Sequence, residues 1–379
     1  MGNPSRNKEI TGPLKEVLRR ISGNGPITFA KFMEIALYWS DEGYYASERD
    51  HWGKDGDYVT SLDKGPVFSR LIARQIHEMW QILGCSTDFS IIEAGAGRGL
   101  LAFGILSAIK KDYPHLYEAS TVHIIEKNPH LRKPSEKICW HEDLSEHGPD
   151  ITGCILSNEL IDALPFHRLV KRTDELKEIY TGLEHGRLVD IEDSPSTDAF
   201  SRYFTRIGIE PRMDYKIEVS LNASEWIRDA GKVLKQGFVM TIDYGLPAAD
   251  LFSRFPEGTL MCHKRHITND DPYRDIGGQD ITAHVDFTSF VNYGKEAGLI
   301  PTGFTTQHYF LMGLGILSEL CEVRTGGLDD IEAMKNNQMI KELIMPGGMG
   351  DTFKVLVQHK GIERPDLMGF SVKDMLSAL

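Results

Sequence analysis

A short run of glycines between an apolar stretch and a helix-like segment carries the strongest chemical signal in this sequence. The acid Glu93 closes the largely apolar stretch 89–92 and is followed by glycines at alternate positions, Gly95, Gly97 and Gly99. This order predicts a strand, a tight loop and then a helix. Glycines let the backbone approach a bound molecule closely, and the first turn of a helix directs N–H groups towards it. The segment therefore predicts a ligand-binding loop.

The spacing of the glycines separates this loop from two other nucleotide-binding loops. A dinucleotide site requires a third glycine at the sixth position of its motif, and Leu100 stands there. A phosphate-binding P-loop requires a Gly-Lys-Ser or Gly-Lys-Thr sequence, and none follows. An ordinary turn between a strand and a helix remains the alternative interpretation.

Two acidic positions follow the next predicted strands. Glu126 closes the strand predicted at 121–126, where an acid binds ribose hydroxyls in a nucleotide-binding βαβ unit. Asp143, or its neighbour Glu142, follows a further short segment and can accept a hydrogen bond from an adenine amino group. The alternatives are a solvent-facing glutamate at a strand end and an ordinary acid in a loop.

Polar residues also follow two later predicted strands. Asn158, Glu159 and Asp162 come after the apolar segment 154–157, and Asp243 closes the apolar segment 237–243. Ligands of open α/β sheets bind at the carboxyl ends of the strands. Buried carboxylates need partners or a function. The alternative is a helix start, with Asn158 as its cap and Glu159 near the positive end of the helix dipole.

Two further segments contain candidate residues. If residues 279–284 are extended, Asp280, Thr282 and His284 share one face. His284 is then a candidate general base or substrate-orienting group, although a single histidine is more often structural. The polar loop 56–61 precedes a predicted long helix, and its Thr60 and Ser61 are candidate ligand contacts; the alternative is a helix cap at Ser61 or Asp63.

Composition limits the class of protein. The 379 residues include 42 Lys and Arg against 55 Asp and Glu, a net charge of −13, which argues against a nucleic-acid-binding surface. Five cysteines stand singly, with no C-x-x-C pair, so we identify no zinc ribbon or other metal site and expect a reducing compartment. No apolar run is long enough to cross a bilayer, and the first residues resemble neither a signal nor a transit peptide. These features predict a cytoplasmic protein without membrane insertion.

Hydrophobic periodicity predicts the elements that position these residues. Helical spacing before residue 89 predicts helices around 14–21, 28–37 and 64–83, and Thr28 is a candidate cap for the second of them. From residue 89 the alternation of strands and helices is typical of a parallel sheet. An interruption at 166–214 contains a predicted hairpin, 176–183 and 187–192, and a short helix, 196–207. The later predicted elements are a helix 222–234 with a capping-box-like start at Asn222, a strand 237–243, a loop-rich stretch 246–285, a helix 286–297 that Asp286 caps, and strands 303–310 and 353–359.

The combination of motifs resembles one known family over about residues 25–360. Acid-x-Gly-x-Gly-x-Gly resembles motif I of Rossmann-like S-adenosylmethionine methyltransferases, and the whole set resembles the MidA-like methyltransferases. That family includes the mitochondrial complex I assembly factor that methylates a protein arginine. The motifs occupy residues 25–27, 43–45, 56–61, 93–99, 158–165, 242–245, 258–260 and 280–287.

The chain departs from the family pattern at several positions. Ala96 stands where the family often has Pro, Leu100 where it often has Thr, and Leu160 and Ile161 where it usually has two aromatic residues. After Glu126 the family tends to continue with Ser-Pro, whereas this chain has Lys-Asn-Pro. These differences leave the glycine loop intact but bear on the shape of the substrate entrance. The substrate of the family need not be that of this chain.

The resemblance implies a domain organisation and a cofactor. It implies an α/β fold with a Rossmann-like, mostly parallel sheet whose last strand is antiparallel. We predict an N-terminal helical region at 1–88, a catalytic domain at 89–165 and 215–360, an insertion at 166–214 and a tail at 361–379. The implied cofactor is S-adenosyl-L-methionine, and its candidate contacts are Thr60, Ser61, Glu93, Gly95, Gly97, Gly99, Glu126, Asp143 and Asn158.

The resemblance also implies methylation of an arginine in a protein partner. A guanidinium is protonated at neutral pH and is a poor nucleophile. Glu159 and Asp162 are candidates to hold it, since carboxylates bind guanidinium in a bidentate manner. His284 or Asp243 is the candidate proton acceptor. By resemblance the partner is a complex I subunit, and the location becomes the mitochondrial matrix if the source is eukaryotic.

Three alternatives remain open from the sequence. The first is an assembly factor that binds S-adenosylmethionine without turnover. The second is a nicotinamide-dependent oxidoreductase, against which Leu100 already counts. The third is a methyltransferase that acts on a small molecule.

Overall fold

The elements alternate between helices and strands along most of the chain. The computed structural model describes residues 11–49, 66–173, 175–321, 328–345 and 347–379. The first half contains α1 (Gly12–Asn24), β1 (Ile27–Thr28), α2 (Phe29–Tyr38), α3 (Pro66–Ile82), β2 (Phe89–Ala94), α4 (Leu100–Asp112), α5 (Pro114–Ala119), β3 (Ser120–Ile125), β4 (Ile138–His141), β5 (Ile151–Asn158), β6 (His167–Arg172), β7 (Glu175–Glu184) and β8 (Arg187–Asp193). The second half contains α6 (Ala199–Ile207), β9 (Lys216–Val219), α7 (Leu221–Val233), β10 (Leu234–Leu246), α8 (Ala248–Arg254), β11 (Met261–Lys264), β12 (Ile267–Asn269), β13 (Asp280–Thr282), β14 (Val285–Asp286), α9 (Phe287–Glu296), β15 (Ile300–Thr306), α10 (Gln307–Gly313), α11 (Leu328–Ile344), α12 (Met349–Thr352) and β16 (Phe353–Lys360).

A central sheet organises the molecule. Its strand order is β15-β16-β10-β5-β2-β3-β4, and the short β14 also pairs with β10. The pairs from β10 to β4 are parallel, whereas β16 runs antiparallel to both of its neighbours. The predicted mostly parallel sheet with an antiparallel last strand is confirmed.

Apolar side chains cover both faces of this sheet. Along β2, Ile91 and Ile92 point to opposite faces because side chains alternate in a strand, and each belongs to a different core cluster. One cluster includes residues of α3, α4 and α10, and the other includes residues of α6, α7 and α9. Continuous apolar strands are expected where helices bury a parallel sheet on both faces. Among the described residues, no helix combines the length and apolar character needed to span a membrane.

A second sheet lies outside the central one. Its order is β1-β7-β6-β9, with β8 paired to β7, so the predicted hairpin at 176–192 is present. Because β1, which lies between α1 and α2, pairs with β7, this sheet joins the region before α3 to the segment between β5 and α7. A third, small sheet has the order β12-β11-β13. The domain boundaries given above stay predictions.

Several predicted elements differ in detail. Ser220, rather than Asn222, caps α7, since its hydroxyl accepts from the Ala223 N–H at 3.1 Å. The strand predicted at 303–310 ends at Thr306, whose hydroxyl caps α10. The stretch predicted as loop-rich contains α8 and three strands, and α11 was not predicted. The predicted caps Thr28 and Asp286 are present.

The close approach of β10 to β14 gives a test of the fold. A Cβ on Gly245 would lie 2.1 Å from the carbonyl oxygen of Val285, so Gly245→Ala must move one backbone against the other. We expect the free energy of unfolding to fall by roughly 1–3 kcal/mol, the usual cost of overpacking, and the melting temperature to fall by several degrees. Gly23→Ala is the control, because a Cβ there meets nothing within 4 Å inside α1. An equal melting temperature for both variants would contradict the prediction.

Candidate functional site

A large cavity opens at the carboxyl ends of the parallel strands. It has a volume of about 690 Å³, within the roughly 300–1,000 Å³ typical of small-molecule sites. Its walls come from the ends of β2, β3, β4 and β5, from the end of α2 and from one side of α7. The sequence-predicted residues that line it are Glu93, Gly95, Gly97, Glu126, Asp143, Asn158 and Glu159.

The glycine loop forms one wall of this cavity. Gly95, Gly97 and Gly99 have φ angles of 67°, 52° and 73°, in the left-handed region that favours glycine. The Gly95 N–H donates to the Ile125 carbonyl at 2.9 Å, and the Gly97 N–H donates to Glu126 Oε2 at 2.9 Å. Gly99 then stands at the start of α4. The loop is therefore held in one compact conformation between β2, β3 and α4.

Glu93 connects the end of β2 to the first turn of α4. Its side chain is buried, and Oε2 accepts from the Ala102 N–H at 2.8 Å. Burial raises the pKa of Glu93 to about 8, although the Ala102 N–H opposes the shift. At neutral pH this carboxyl group is therefore largely protonated, unlike an exposed glutamate.

Glu126 occupies the end of β3. Its two carboxylate oxygens accept from the Gly97 N–H and, at 2.8 Å, from the Asn128 N–H. Burial raises the pKa of Glu126, while these N–H groups lower it. The side chain of Asn128 also donates to the carbonyls of Tyr45 and Ser47, at 2.8 and 3.0 Å. Glu126 and Asn128 thus connect the glycine loop to the segment after α2.

Asp143 follows β4 and lines the same cavity. Its carboxylate accepts from the Ser145 N–H at 2.8 Å, and Ser145 lowers the pKa of Asp143. Glu146 completes a capping box by accepting from the Asp143 N–H at 3.1 Å. The segment 142–144 that lines the cavity is therefore fixed by its own turn.

The polar turn after β5 forms the floor. Glu159 has a φ of 55°, which is uncommon for a residue other than glycine. Its N–H donates to the Ile242 carbonyl at 3.0 Å, and the Asn158 side-chain amide donates to Glu159 Oε1 at 3.2 Å. Asn158 Oδ1 is buried and has no hydrogen-bond partner among the described residues. The alternative interpretation of Asn158 as a helix cap does not hold, because no helix follows β5 directly.

Asp243 supports this turn from below. It is fully buried; Oδ2 accepts from the N–H groups of Ile161 at 2.9 Å and Asp162 at 3.4 Å, and Oδ1 accepts from Tyr244 at 2.8 Å. Burial, and to a smaller extent the charge of Asp162, raises the pKa of Asp243 well above its usual value. Asp243 does not line the cavity. Asp243 therefore holds the turn, and its role as a proton acceptor stays a prediction.

Asp162 and His284 lie in a different place from Glu159. Both line a second cavity of about 30 Å³, behind the turn. Tyr244 binds the Asp162 carboxylate, and burial raises the pKa of Asp162 to about 6. Burial, and less strongly Lys354, lowers the pKa of His284 to about 4. The structure therefore does not bring Asp162 and His284 to the large cavity beside Glu159, and a histidine with so low a pKa is a weak base.

Two other predictions concern residues 279–284 and the loop 56–61. Asp280 and Thr282 lie in β13, but His284 follows the strand, so the predicted extended segment ends before it. Asp280 accepts a hydrogen bond from the Tyr45 hydroxyl at 2.8 Å. Thr60 and Ser61 lie outside the described residues, and their predicted cofactor contacts stay predictions.

Aromatic side chains that the sequence analysis did not assign also line the cavity. Tyr38 and Tyr45 stack with ring centroids 5.6 Å apart, and the Tyr38 hydroxyl donates to the Ala163 carbonyl at 3.0 Å. Trp226 projects from α7. Only the tyrosines lay near a motif that the sequence analysis quoted, at 43–45. Trp226 occupies an ordinary amphipathic helix and gave no signal.

The charge of the cavity wall is strongly negative. Apart from the largely protonated Glu93, its lining carboxylates are Glu34, Asp41, Glu126, Glu142, Asp143, Glu159 and Asp229, whereas its lining lysine and arginine residues are Lys127 and Arg98. Such a wall favours a cationic ligand, and low-dielectric walls strengthen the effect.

The comparison with protein families decides the identity of the fold and the cofactor. A family model described as "Putative S-adenosyl-L-methionine-dependent methyltransferase" matches residues 71–305. The chain belongs to this family. It is a methyltransferase that uses S-adenosyl-L-methionine, and the resemblance of its motifs to MidA-like methyltransferases is confirmed.

A solved structure resembles this methyltransferase over nearly its whole length. A protein from Burkholderia thailandensis bound to S-adenosyl-homocysteine has a TM-score of 0.86 and 28% sequence identity, covering 97% of this chain and 96% of that chain. A native structure of a protein from the same organism has a TM-score of 0.84, 28% identity and the same coverage. Both comparisons confirm the α/β methyltransferase fold.

Curated relatives carry a more specific name. Human "Protein arginine methyltransferase NDUFAF7, mitochondrial" is 26% identical over 404 residues, covering 96% of this chain and 87% of the relative. The Drosophila melanogaster homologue of that protein is 26% identical over 408 residues, covering 94% of this chain and 88% of the relative.

Gly97 gives a test of cofactor binding. Gly97→Val places a β-branched side chain at a φ of 52°, a strain of about 1–3 kcal/mol. The strain must be relieved by moving the loop, so we expect the affinity for S-adenosylhomocysteine in calorimetry to fall by about 10–100-fold. Gly148→Ala is the control, since a Cβ there meets nothing within 4 Å. Unchanged affinity in the Gly97 variant would show that the loop does not hold the cofactor.

Glu93 gives a test by pH. Its pKa is raised from an ordinary 4.5 to about 8 in the folded protein, so the folded state keeps a proton that the unfolded state releases. The resulting stability is complete below about pH 4.5 and is lost as the pH rises to about 8. Relative to Glu93→Gln, the melting temperature of the native protein should therefore fall between pH 5 and pH 8. Parallel plots of melting temperature against pH for the native protein and Glu93→Gln would contradict this. The control is Glu184→Gln, which changes an exposed residue of the hairpin.

Proposed function

We propose that this methyltransferase transfers a methyl group to an arginine side chain of a protein partner. The observation that carries the proposal is the negative wall of the large cavity, which Glu159 and the glycine loop line together. A guanidinium is a permanent cation at neutral pH, and carboxylates bind it in a bidentate manner. The names of relatives at 26% identity support the same substrate class.

The residues around the cavity fit the cofactor. Left-handed glycines allow close approach of the backbone, and Asn158 Oδ1 is a buried acceptor without a partner among the described residues. We assign the Glu126 carboxylate to the ribose hydroxyls and Asp143 to the adenine amino group. We assign Asn158 and the loop from Glu93 to Gly99 to the amino-acid part of the cofactor.

The chemistry places one demand on the protein, which is alignment. S-adenosylmethionine supplies a methyl group on a sulfonium, and an in-line nucleophile displaces the sulfur, which keeps the bonding electron pair. Glu159 holds the guanidinium so that one nitrogen faces the methyl group, and it compensates the positive charge that persists until a proton leaves. Because His284 and Asp243 do not line this cavity, we now assign the proton to Glu159 itself, from which solvent can take it.

The fixed backbone at Glu159 supports this role. The Ile242 carbonyl binds its N–H, and the Asn158 amide binds one of its carboxylate oxygens. A carboxylate on a fixed backbone, with one oxygen already bound, has few orientations to lose when it binds a guanidinium. Tyr38, Tyr45 and Trp226 add aromatic surface to the same cavity, which suits a guanidinium because aromatic faces attract cations.

The partner and location follow only from resemblance. Membership of a respiratory complex I-type assembly is what the family resemblance suggests for the partner. The relatives are named mitochondrial, whereas composition predicts a cytoplasmic protein; both stay predictions.

Glu159→Gln tests the proposal. The amide keeps the size of the side chain but loses the charge, so S-adenosylhomocysteine binding should persist while methyl transfer falls by about 100-fold or more, the scale of a lost alignment. The measurement is transfer of labelled methyl from S-adenosylmethionine into proteins of a lysate that lacks this gene, followed by amino-acid analysis. Glu184→Gln should transfer at the native rate.

Each other outcome contradicts part of the proposal. Equal loss of binding and transfer in Glu159→Gln would make Glu159 a cofactor or folding residue. Label only in small molecules would indicate a small-molecule methyltransferase. Absence of label, with S-adenosylhomocysteine bound in the same preparation, would favour an assembly factor without turnover.

A further inference from the structure

Three histidines meet at the edge of the central sheet, outside the cavity described above. His123 lies in β3, His141 lies in β4, and His147 follows the short turn 144–146. One nitrogen from each ring lies within 4.8 Å of the other two, and all three side chains are half-buried. The closest pair is His123 Nδ1 and His141 Nε2, 3.1 Å apart. His123 and His141 are 18 positions apart and His141 and His147 are 6 apart, a spacing that matches none of the motifs sought in the sequence.

Ring packing alone does not account for the polar atoms of this cluster. The ring centroids lie 4.4–5.3 Å apart at various angles, as in an aromatic cluster. His147 Nε2, however, is buried and has no hydrogen-bond partner among the described residues. Buried polar atoms are normally satisfied. A ligand shared by the three rings would satisfy it.

A carboxylate already orients one of the rings. Glu146 Oε2 lies 3.2 Å from His141 Nδ1, which leaves Nε2 of that ring directed towards His123. Histidines that bind metals usually donate their other N–H to a carboxylate or carbonyl in this manner. The arrangement is that of a metal ligand supported from behind.

We propose that His123, His141 and His147 bind one divalent transition-metal ion of the zinc type. Imidazole nitrogens suit Zn²⁺, Ni²⁺ and Cu²⁺ rather than Mg²⁺ or Ca²⁺. Tetrahedral zinc with bonds of about 2.0–2.1 Å places its ligand nitrogens roughly 3.3 Å apart, close to the 3.1 Å between His123 and His141. Small rotations of the rings bring the third nitrogen to the ion, and water supplies the fourth ligand.

The ion would also stiffen a wall of the cofactor cavity. Glu146 accepts through its other oxygen from the N–H groups of Glu142 and Asp143, at 2.7 and 3.1 Å. Those two residues line the cavity. Fixing Glu146 through His141 therefore fixes the segment that carries Asp143. By linkage, the metal and the cofactor each raise the affinity for the other.

Zinc binding to the full-length protein tests the site. After treatment with a chelator and its removal, titration with Zn²⁺ in a calorimeter should give one ion per chain. His147→Gln, and independently His123→Gln on another element, should each weaken binding by at least about 10–100-fold. His115→Ala, an exposed histidine in α5, should bind as the native protein does. Equal metal-free melting temperatures would show that the variants fold.

Two results would overturn the site. The first is native stoichiometry below one ion per chain, and the second is equal zinc affinity in the native protein and both variants. The same titration with Mg²⁺ should give no binding at this cluster. The test is independent of the methyl acceptor, so failure of the arginine assignment leaves its outcome unchanged.

The connection to the cofactor cavity has its own readout. The affinity of the native protein for S-adenosylhomocysteine should rise several-fold when Zn²⁺ is added and return when it is removed. His147→Gln should keep the metal-free affinity and lose the response to zinc. An affinity that is unaffected by zinc in the native protein would overturn the connection.

Discussion

The site depends on the hydrogen bonds that the carboxyl group of Asp243 accepts from the backbone. This carboxyl group is completely buried at the end of β10 and accepts three backbone N–H groups, two of which belong to the turn after β5. A buried carboxyl group without such partners would be costly. Because the turn has no helix or strand of its own, these hydrogen bonds fix its path. The direction of Glu159 into the cavity therefore depends on a residue 84 positions later in the chain.

The cavity is assembled from distant parts of the chain. The glycine loop and Glu126 belong to one βαβ unit, but the N-terminal helices contribute the opposite wall through Tyr38 and Tyr45. Asn128 holds that wall by binding the carbonyls of Tyr45 and Ser47. On the proposed assignment, the methyltransferase sheet supplies the cofactor-binding residues, and the region before the sheet supplies further lining of the cavity. Changes in the N-terminal helices can alter ligand selection without touching the glycine loop.

The sequence predicted best where local pattern decides structure. The glycine loop, the strands at Glu93 and before Glu126, and the caps Thr28 and Asp286 depend on neighbours in the chain, so they were predicted correctly to within one residue. The separation of Asp162 and His284 from Glu159 depends on how the turn crosses β10, which no local pattern records. The same reason explains why the three-histidine cluster was missed. The sequence shows which residues are polar and where they follow strands, but only the path of the backbone decides which cavity they line.

The left-handed backbone at Glu159 has a consequence for the evolution of this protein. Such a conformation costs a residue with a Cβ about 1–3 kcal/mol, and glycine would remove the cost. Stability alone therefore favours glycine at this position, whereas the proposed chemistry requires a carboxylate. Selection for heat resistance alone would favour glycine here, and the resulting protein would still bind the cofactor but would no longer bind a cation at this position. On the proposed chemistry, glutamate at this position is a cost in stability that is kept for turnover.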